Sequence, residues 1–383
     1  MIQDEGGAAT APESGQEEPP QQPRASKETF PLGKWIILLL VPLIFLVVVM
    51  PTGFVVESPG PSFDLQSDFT VKAAQTYTSQ GKFMLTAVSI QESNLVYHLL
   101  AEFDNDYSNI KETEYLGKNL DASGQALVDD IITVISQNTA TVEALRQTGK
   151  QVAVQGLGAM AIAAFEGFPA FGVVNPGDVI VAANGKAVTG AQDLRDVIGS
   201  MSPGDSLRLQ VRTINEDALK REEDLDPANI DLAAILEQEP KEYELQTAAD
   251  PETGKPLVGV ALRDYFTYSS TVQVEWNVKD VKGPSAGLMM TLSLINALTP
   301  EDLTGGKNIA GTGEILLSGQ VGPIGGLPMK IKAAESRGAR VFIYPVDNQP
   351  DLAGVSTKMQ LYPVATLQDA LDALNQLNSQ AKQ

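Results

Sequence analysis

The apolar and polar positions divide the chain into three stretches. Residues 1–33 are rich in Gln, Glu and Pro, with almost no large apolar residue before Phe30. Such a composition buries no core and predicts a disordered tail. Trp35–Val56 then runs 22 residues without a charge. A helix of about 20 residues spans a bilayer core, and lipid-spanning helices tolerate prolines such as Pro42 and Pro51. A cleaved signal peptide is the competing reading. It requires a shorter apolar run and a small-residue cleavage motif, whereas ESPGPSF follows here. The pattern therefore predicts one transmembrane anchor over 34–56. Arg24, Lys27 and Lys34 precede it and the next cation is Lys72. The positive-inside rule then puts 1–33 in the cytoplasm and residues from 57 onward outside the cell membrane.

Beyond the run the periods shorten. GKFMLTAVSI (81–90) alternates as a strand does. Leu95–Phe103 and Gly124–Gln147 have helical spacing, the second placing Leu127, Ile131, Val134 and Ile135 on one face. Residues 57–150 are expected to form an N-terminal α/β segment. From 151 short strands alternate with Gly/Pro turns around one helix, AQDLRDVIGSM. Residues 216–244 carry 11 acidic and 3 basic residues, which predicts a solvated insertion with one amphipathic helix near Ile230–Leu236. Residues 249–377 alternate strand and helix patterns, an α/β or α+β signature.

Composition narrows the chemistry. The chain has 27 basic and 48 acidic residues, a balance that repels phosphates and argues against nucleic acid as a partner. It has no Cys and a single His, His98. Thiolate nucleophiles, thiolate metal sites and two-imidazole sites are excluded, and no metal or cofactor is expected. His98 lies in NLVYHLLAEF with no motif around it, so it reads as a core or boundary residue rather than a base.

FPAFGVVNPGDVIVAANGKAV and the later SPGDSLRLQV resemble a PDZ domain over about 90 residues, carried by Pro176, Gly177, Asp178, Ile180, Asn184 and Gly185. The resemblance implies a small, mostly-β domain over 151–248, with 216–244 as its insertion. It also implies a groove that receives an extended peptide as an added strand. QGLG lies where a carboxylate-binding loop is expected, making Gly156, Leu157 and Gly158 candidates, although glycines there also serve simply as turn residues.

VKGPSAGLMMTLSLINALTP holds the main chemical candidate. Ser285 opens an apolar helix and reads either as a helix cap or as a nucleophile. Backbone N–H groups around Gly283, Pro284 and Ala286 would then face an oxyanion at a helix start. A serine needs a base, and with histidine nearly absent a buried, neutral lysine can serve. GPSAG, followed by GTGEILLSGQVGPIGGLPMKIKAA and FIYPVDN, resembles the proteolytic domain of Lon-type serine peptidases. By that resemblance Ser285 matches the nucleophile, Lys330 the general base and Thr312 a supporting residue, within an α/β (α+β) peptidase domain over 249–377. Lys332 competes as base, but i and i+2 on a helix face different directions.

No GxxxxGK[ST] phosphate loop occurs, so no ATP is expected. Lys282 stands where ATP-dependent Lon proteases often have Asp. The order of anchor, α/β segment, PDZ and Lon-type domain resembles the membrane-anchored, PDZ-containing Lon-like peptidases of Gram-positive bacteria. It implies an ATP-independent extracytoplasmic Ser–Lys endopeptidase acting on peptides or unstructured proteins. A catalytically silent PDZ scaffold or chaperone is the alternative.

Overall fold

A computed structural model describes residues 40–42, 44–45, 50–104, 106–111, 122–223, 230–278 and 281–380. Residues 1–49 and 50–383 form separate units. Of the first, 40–42 and 44–45 are helical, and most of the uncharged run lies outside the described residues. Among the described residues no helix is long and apolar enough to cross a membrane.

Two sheets organise the second unit. Their strands in chain order are β1 (Pro51–Asp64), β2 (Lys82–Asn94), β3 (Ser108–Lys111), β4 (Val152–Ala164), β5 (Val179–Ala183), β6 (Ser206–Arg212), β7 (Lys241–Gln246), β8 (Val260–Ser270), β9 (Asn308–Gly311), β10 (Val341–Pro345) and β11 (Gln360–Val364). The principal helices are α1 (Leu95–Phe103), α2 (Ala122–Gln147), α3 (Ala191–Gly199), α4 (Gly287–Leu298), α5 (Leu327–Ser336) and α6 (Leu367–Gln380). One sheet has the order β11-β10-β9-β2-β1-β3, parallel from β11 to β2 and antiparallel beyond. The other runs β8-β4-β5-β6-β7, all antiparallel.

Three boundaries expected from the sequence move. Pro51–Val56, counted above with the anchor, opens β1, and Val55 and Val56 are buried. The segment 57–150 is not a layer of its own, because β1 and β2 share a sheet with β9, β10 and β11. Local periodicity shows a strand but not its distant partner. The small-strand domain likewise does not end at 248, since β8 pairs with β4 along its whole length, from Val260 opposite Ala164 to Ser270 opposite Val152.

The acidic insertion is also less solvated than its charge suggested. Glu216–Glu223 is helical and 224–229 lie outside the described residues. Residues 230–236 form turns rather than a helix, and Ile230, Leu232, Ile235 and Leu236 are buried against Met160, Val179 and Phe266. The Tyr265 hydroxyl donates to the Leu232 carbonyl at 2.7 Å. Apolar residues among charges drive a turn inward as readily as a helix when a core is open to them.

α2 joins two cores. Ala140, Ala144 and Leu145 pack with Leu288, Met289 and Leu292 of α4. Ile131, Ile132 and Ile135 pack with Met160, Tyr265 and Phe266 of the second sheet. α4 has no charged residue, and every residue but Ala297 is buried, so it stands as a central post under the first sheet.

Candidate active site

The first sheet ends where the chemistry begins. β9 stops at Gly311, and the Thr312 N–H donates to the Ile343 carbonyl of β10 at 2.9 Å, which fixes Thr312 at the end of this interior strand. The chain before α4 arrives through a 3-10 turn, Pro284–Ala286, entered from Gly283 at φ 91°. That left-handed backbone strains any residue with a Cβ, which explains the glycine. The carbonyl of Ser285 accepts from the Gly313 N–H at 2.9 Å and from the Thr312 hydroxyl at 3.0 Å. Two donors on one carbonyl pin the serine against the end of β9.

α5 brings the amine. Gly326 caps it at φ 68°, and a Cβ there would lie 2.7 Å from the Val88 side chain. One turn later Lys330 points inward, 3% exposed. Its Nζ lies 2.7 Å from Ser285 Oγ and 3.1 Å from Thr312 Oγ1. Thr312 donates its proton to the serine carbonyl, so its lone pair faces the amine and holds it on the serine. Burial pushes the Lys330 ammonium down to about 8, opposed by the nearby charge of Glu57. A neutral amine within hydrogen-bond reach of a half-buried hydroxyl can accept its proton and leave an alkoxide equivalent.

The structure thus brings Ser285, Lys330 and Thr312 together. The rival cations point elsewhere, Lys332 pairing with Asp106 and Lys282 with Asp130, each at 2.6 Å. His98 lies on α1 against the Phe54 ring.

Two groups of expected residues need correction. The Gly283 N–H is taken by Thr133 Oγ1 at 2.8 Å, and Pro284 has no N–H. In a 3-10 turn over 284–286 the Ala286 N–H belongs to the turn's own i to i−3 bond, and among the described residues nothing accepts from the Ser285 N–H. Gly156, Leu157 and Gly158 form no loop. They lie inside β4, where Gly156 faces Phe266 and Gly158 faces Tyr265 of β8. The outer edge of β4, where an added peptide strand would pair, is filled by the chain's own β8. The second sheet's apolar cleft, about 600 Å³, opens instead between α3 and the start of β8, lined by Phe165, Phe168, Arg195, Ile198, Lys255 and Val260.

Sequence reasoning missed two contributors. Glu57 of β1 is 9% exposed, against the capped start of α5, and its carboxyl is raised by burial despite the Lys330 charge. No motif surrounds a lone Glu in VVESPG. α2 supplies the other, where Thr133 holds Gly283 and Ser136 Oγ donates to the Pro284 carbonyl at 3.3 Å. The helical period of α2 was legible, but not which loop its polar face would meet.

Residues 275–376 match the Lon protease (S16) C-terminal proteolytic domain, and residues 147–220 match the PDZ domain family. The chain is similar to a Lon protease of Azospirillum brasilense, 42% identical over 93 residues, which are 23% of this chain and 11% of that protein. A Lon protease of Roseiflexus castenholzii is 50% identical over 70 residues, 18% of this chain and 8% of that one. Lon protease 2 of Bacillus subtilis is 40% identical over 96 residues, 24% and 17% respectively. The match thus spans less than a fifth of the length of each of these relatives. Among solved structures the chain is similar to the PDZ domain of an SdrC-like protein from Listeria monocytogenes, at 19% identity over 28% of this chain and 87% of that one, with a TM-score of 0.20, too distant to argue from. The chain contains a Lon protease C-terminal proteolytic domain and a PDZ domain.

Proposed function

We propose that this chain is a serine endopeptidase in which Ser285 is the nucleophile and Lys330 the general base. The observation that carries the reading is the buried Lys330 amine, 2.7 Å from Ser285 Oγ and held near pKa 8. The neutral amine takes the hydroxyl proton as Oγ attacks the peptide carbonyl. The free Ser285 N–H lies at the helix start that would face the developing oxyanion. The lysine returns its proton to the departing amine, and water, deprotonated by the same lysine, releases the acyl group. Thr312 orients Lys330, while Glu57 acts on its proton affinity.

The substrates proposed are peptides or unstructured proteins, since the chain carries no phosphate loop to power unfolding, and neither ATP nor metal takes part. The PDZ domain binds or gates substrate. With β4's edge filled, the cleft between α3 and β8 is the better place for an incoming chain.

The anchor remains part of the proposal, moved forward. With Pro51–Val56 in β1, the uncharged run left is 35–50, about 24 Å as a helix. Such a span is short for a bilayer core of about 30 Å and relies on Lys34 snorkelling and on local thinning. The catalytic domain then faces the extracytoplasmic side.

The test incubates full-length protein with a mixed peptide library, without nucleotide and with chelator. The wild type should cleave, and Ser285→Ala and Lys330→Ala should not. The double variant should be no worse than either single one, since members of one catalytic unit are non-additive. Undiminished cleavage by Ser285→Ala, or a strict need for ATP or metal, rejects the reading.

A further inference from the structure

Among the described residues, α1 presents its apolar side to the outside. Leu95, Val96, Leu99, Leu100 and Phe103 follow one another at helical spacing and are exposed, Leu99 at 50% and Phe103 at 88%. The half-buried positions are Tyr97, His98 and Ala101, and His98 stacks on Phe54 with ring centroids 4.7 Å apart. No residue of this helix is buried. A continuous apolar stripe on a helix that is otherwise well formed, its first turn capped by the Asn94 side chain, marks a surface that meets something apolar.

Its position says what that is. Asn94, the residue before α1, pairs with Pro51, the first residue of β1. Pro51 is also where the uncharged run 35–50 enters the sheet. The exposed stripe therefore begins one strand over from the point at which the chain leaves that run. Met50, at that same point, is 57% exposed, and Ile90, on the strand that leads to α1, is 36% exposed. Charge sets the mode of contact. Glu92, Glu102, Asp104 and Asp106 flank the stripe, so attraction to an anionic headgroup cannot drive it, and burial of the five side chains must.

We propose that α1 lies in the headgroup–acyl boundary of the membrane that holds the anchor, as a second attachment of the catalytic unit. The proposal rests on the anchor reading above. A second copy of the chain is the competing occupant.

The chain contains no cysteine, so Leu99→Cys gives one labelling site for an environment-sensitive fluorophore. Ser202→Cys, in an exposed turn of the PDZ domain, is the control. Each labelled full-length protein is reconstituted in phosphatidylcholine vesicles with and without lipids carrying a doxyl quencher, and flotation is scored first. The expected result is co-flotation of both, with a blue shift and loss of about half or more of the emission at position 99 and no loss at 202. The quenching should persist at high salt and without anionic lipid. Co-flotation with position 99 as unquenched as position 202 overturns the proposal and leaves the anchor standing. Unquenched emission together with thiol cross-linking between copies at position 99 assigns the stripe to a second copy and overturns it too. Failure to float rejects the anchor and, with it, this proposal. Retained peptide cleavage by each labelled variant shows that the fold is intact.

Discussion

The pH dependence of serine acylation is the sharpest test of the lysine. At a pKa of about 8, roughly one Lys330 in eleven is neutral at pH 7, against about one in 2,500 for a free lysine at about 10.4. Desolvation thus raises the population of competent base about two-hundredfold, at some cost in its basicity. The acylation rate should climb about tenfold per pH unit below about 7, reach half its plateau near 8 and level off above about 9. Glu57→Gln removes the negative charge that opposes this shift, so its limb should move to lower pH. The assay is stopped-flow labelling of Ser285 by a fluorophosphonate, with kcat/KM on a peptide beside it. Lys330→Arg should be inactive throughout, because guanidinium keeps its proton. A limb centred near 10.5, or one that Glu57→Gln moves upward, would falsify the desolvated-lysine argument. A limb that disappears in His98→Ala would replace lysine by histidine.

Thr133→Val removes the acceptor for the Gly283 N–H while keeping the shape, so kcat should fall about tenfold or more with KM little changed, and Thr133→Ser should restore it. Arg263→Ala leaves Glu314, two residues past Thr312, as a buried carboxylate without its partner, and should lower stability by about 3 kcal/mol or more in chemical denaturation. Gly326→Ala forces a left-handed backbone and crowds Val88 and Glu57, so it should lower both the melting temperature and the labelling rate.

How far the sequence was legible depends on how local each feature is. The 95–103 helix and the 81–90 strand follow from period alone and appear where the period puts them. The proximity of Ser285 to Lys330 was foreseen from two motifs rather than from any spacing, because 45 residues of chain separate the two groups. What stayed hidden is pairing at a distance. Nothing local announces that β8 will close the edge of β4, or that Glu57 will end beside Lys330. The Pro51–Val56 segment misled for a related reason. Its six residues carry no charge, Val55 and Val56 are buried, and a short uncharged strand next to an apolar run is indistinguishable from more of the same.

The pairing of β2 with β9 also governs when the Ser285–Lys330 site can form. Lys82 meets Asn308 across a separation of 226 residues, and β10 and β11 add outward from β9. The β1–β2 hairpin precedes β9 by more than 200 residues, and the open side of β2 is covered only once β9 is present. Contacts of such long range make for slow folding with unpaired strand edges exposed meanwhile. Thr312 is fixed only when β9 has joined β10, and Lys330 is desolvated only when α5 packs over β1. On the proposed function, the Ser285–Lys330 pair therefore assembles only once β9, β10 and α5 are in place.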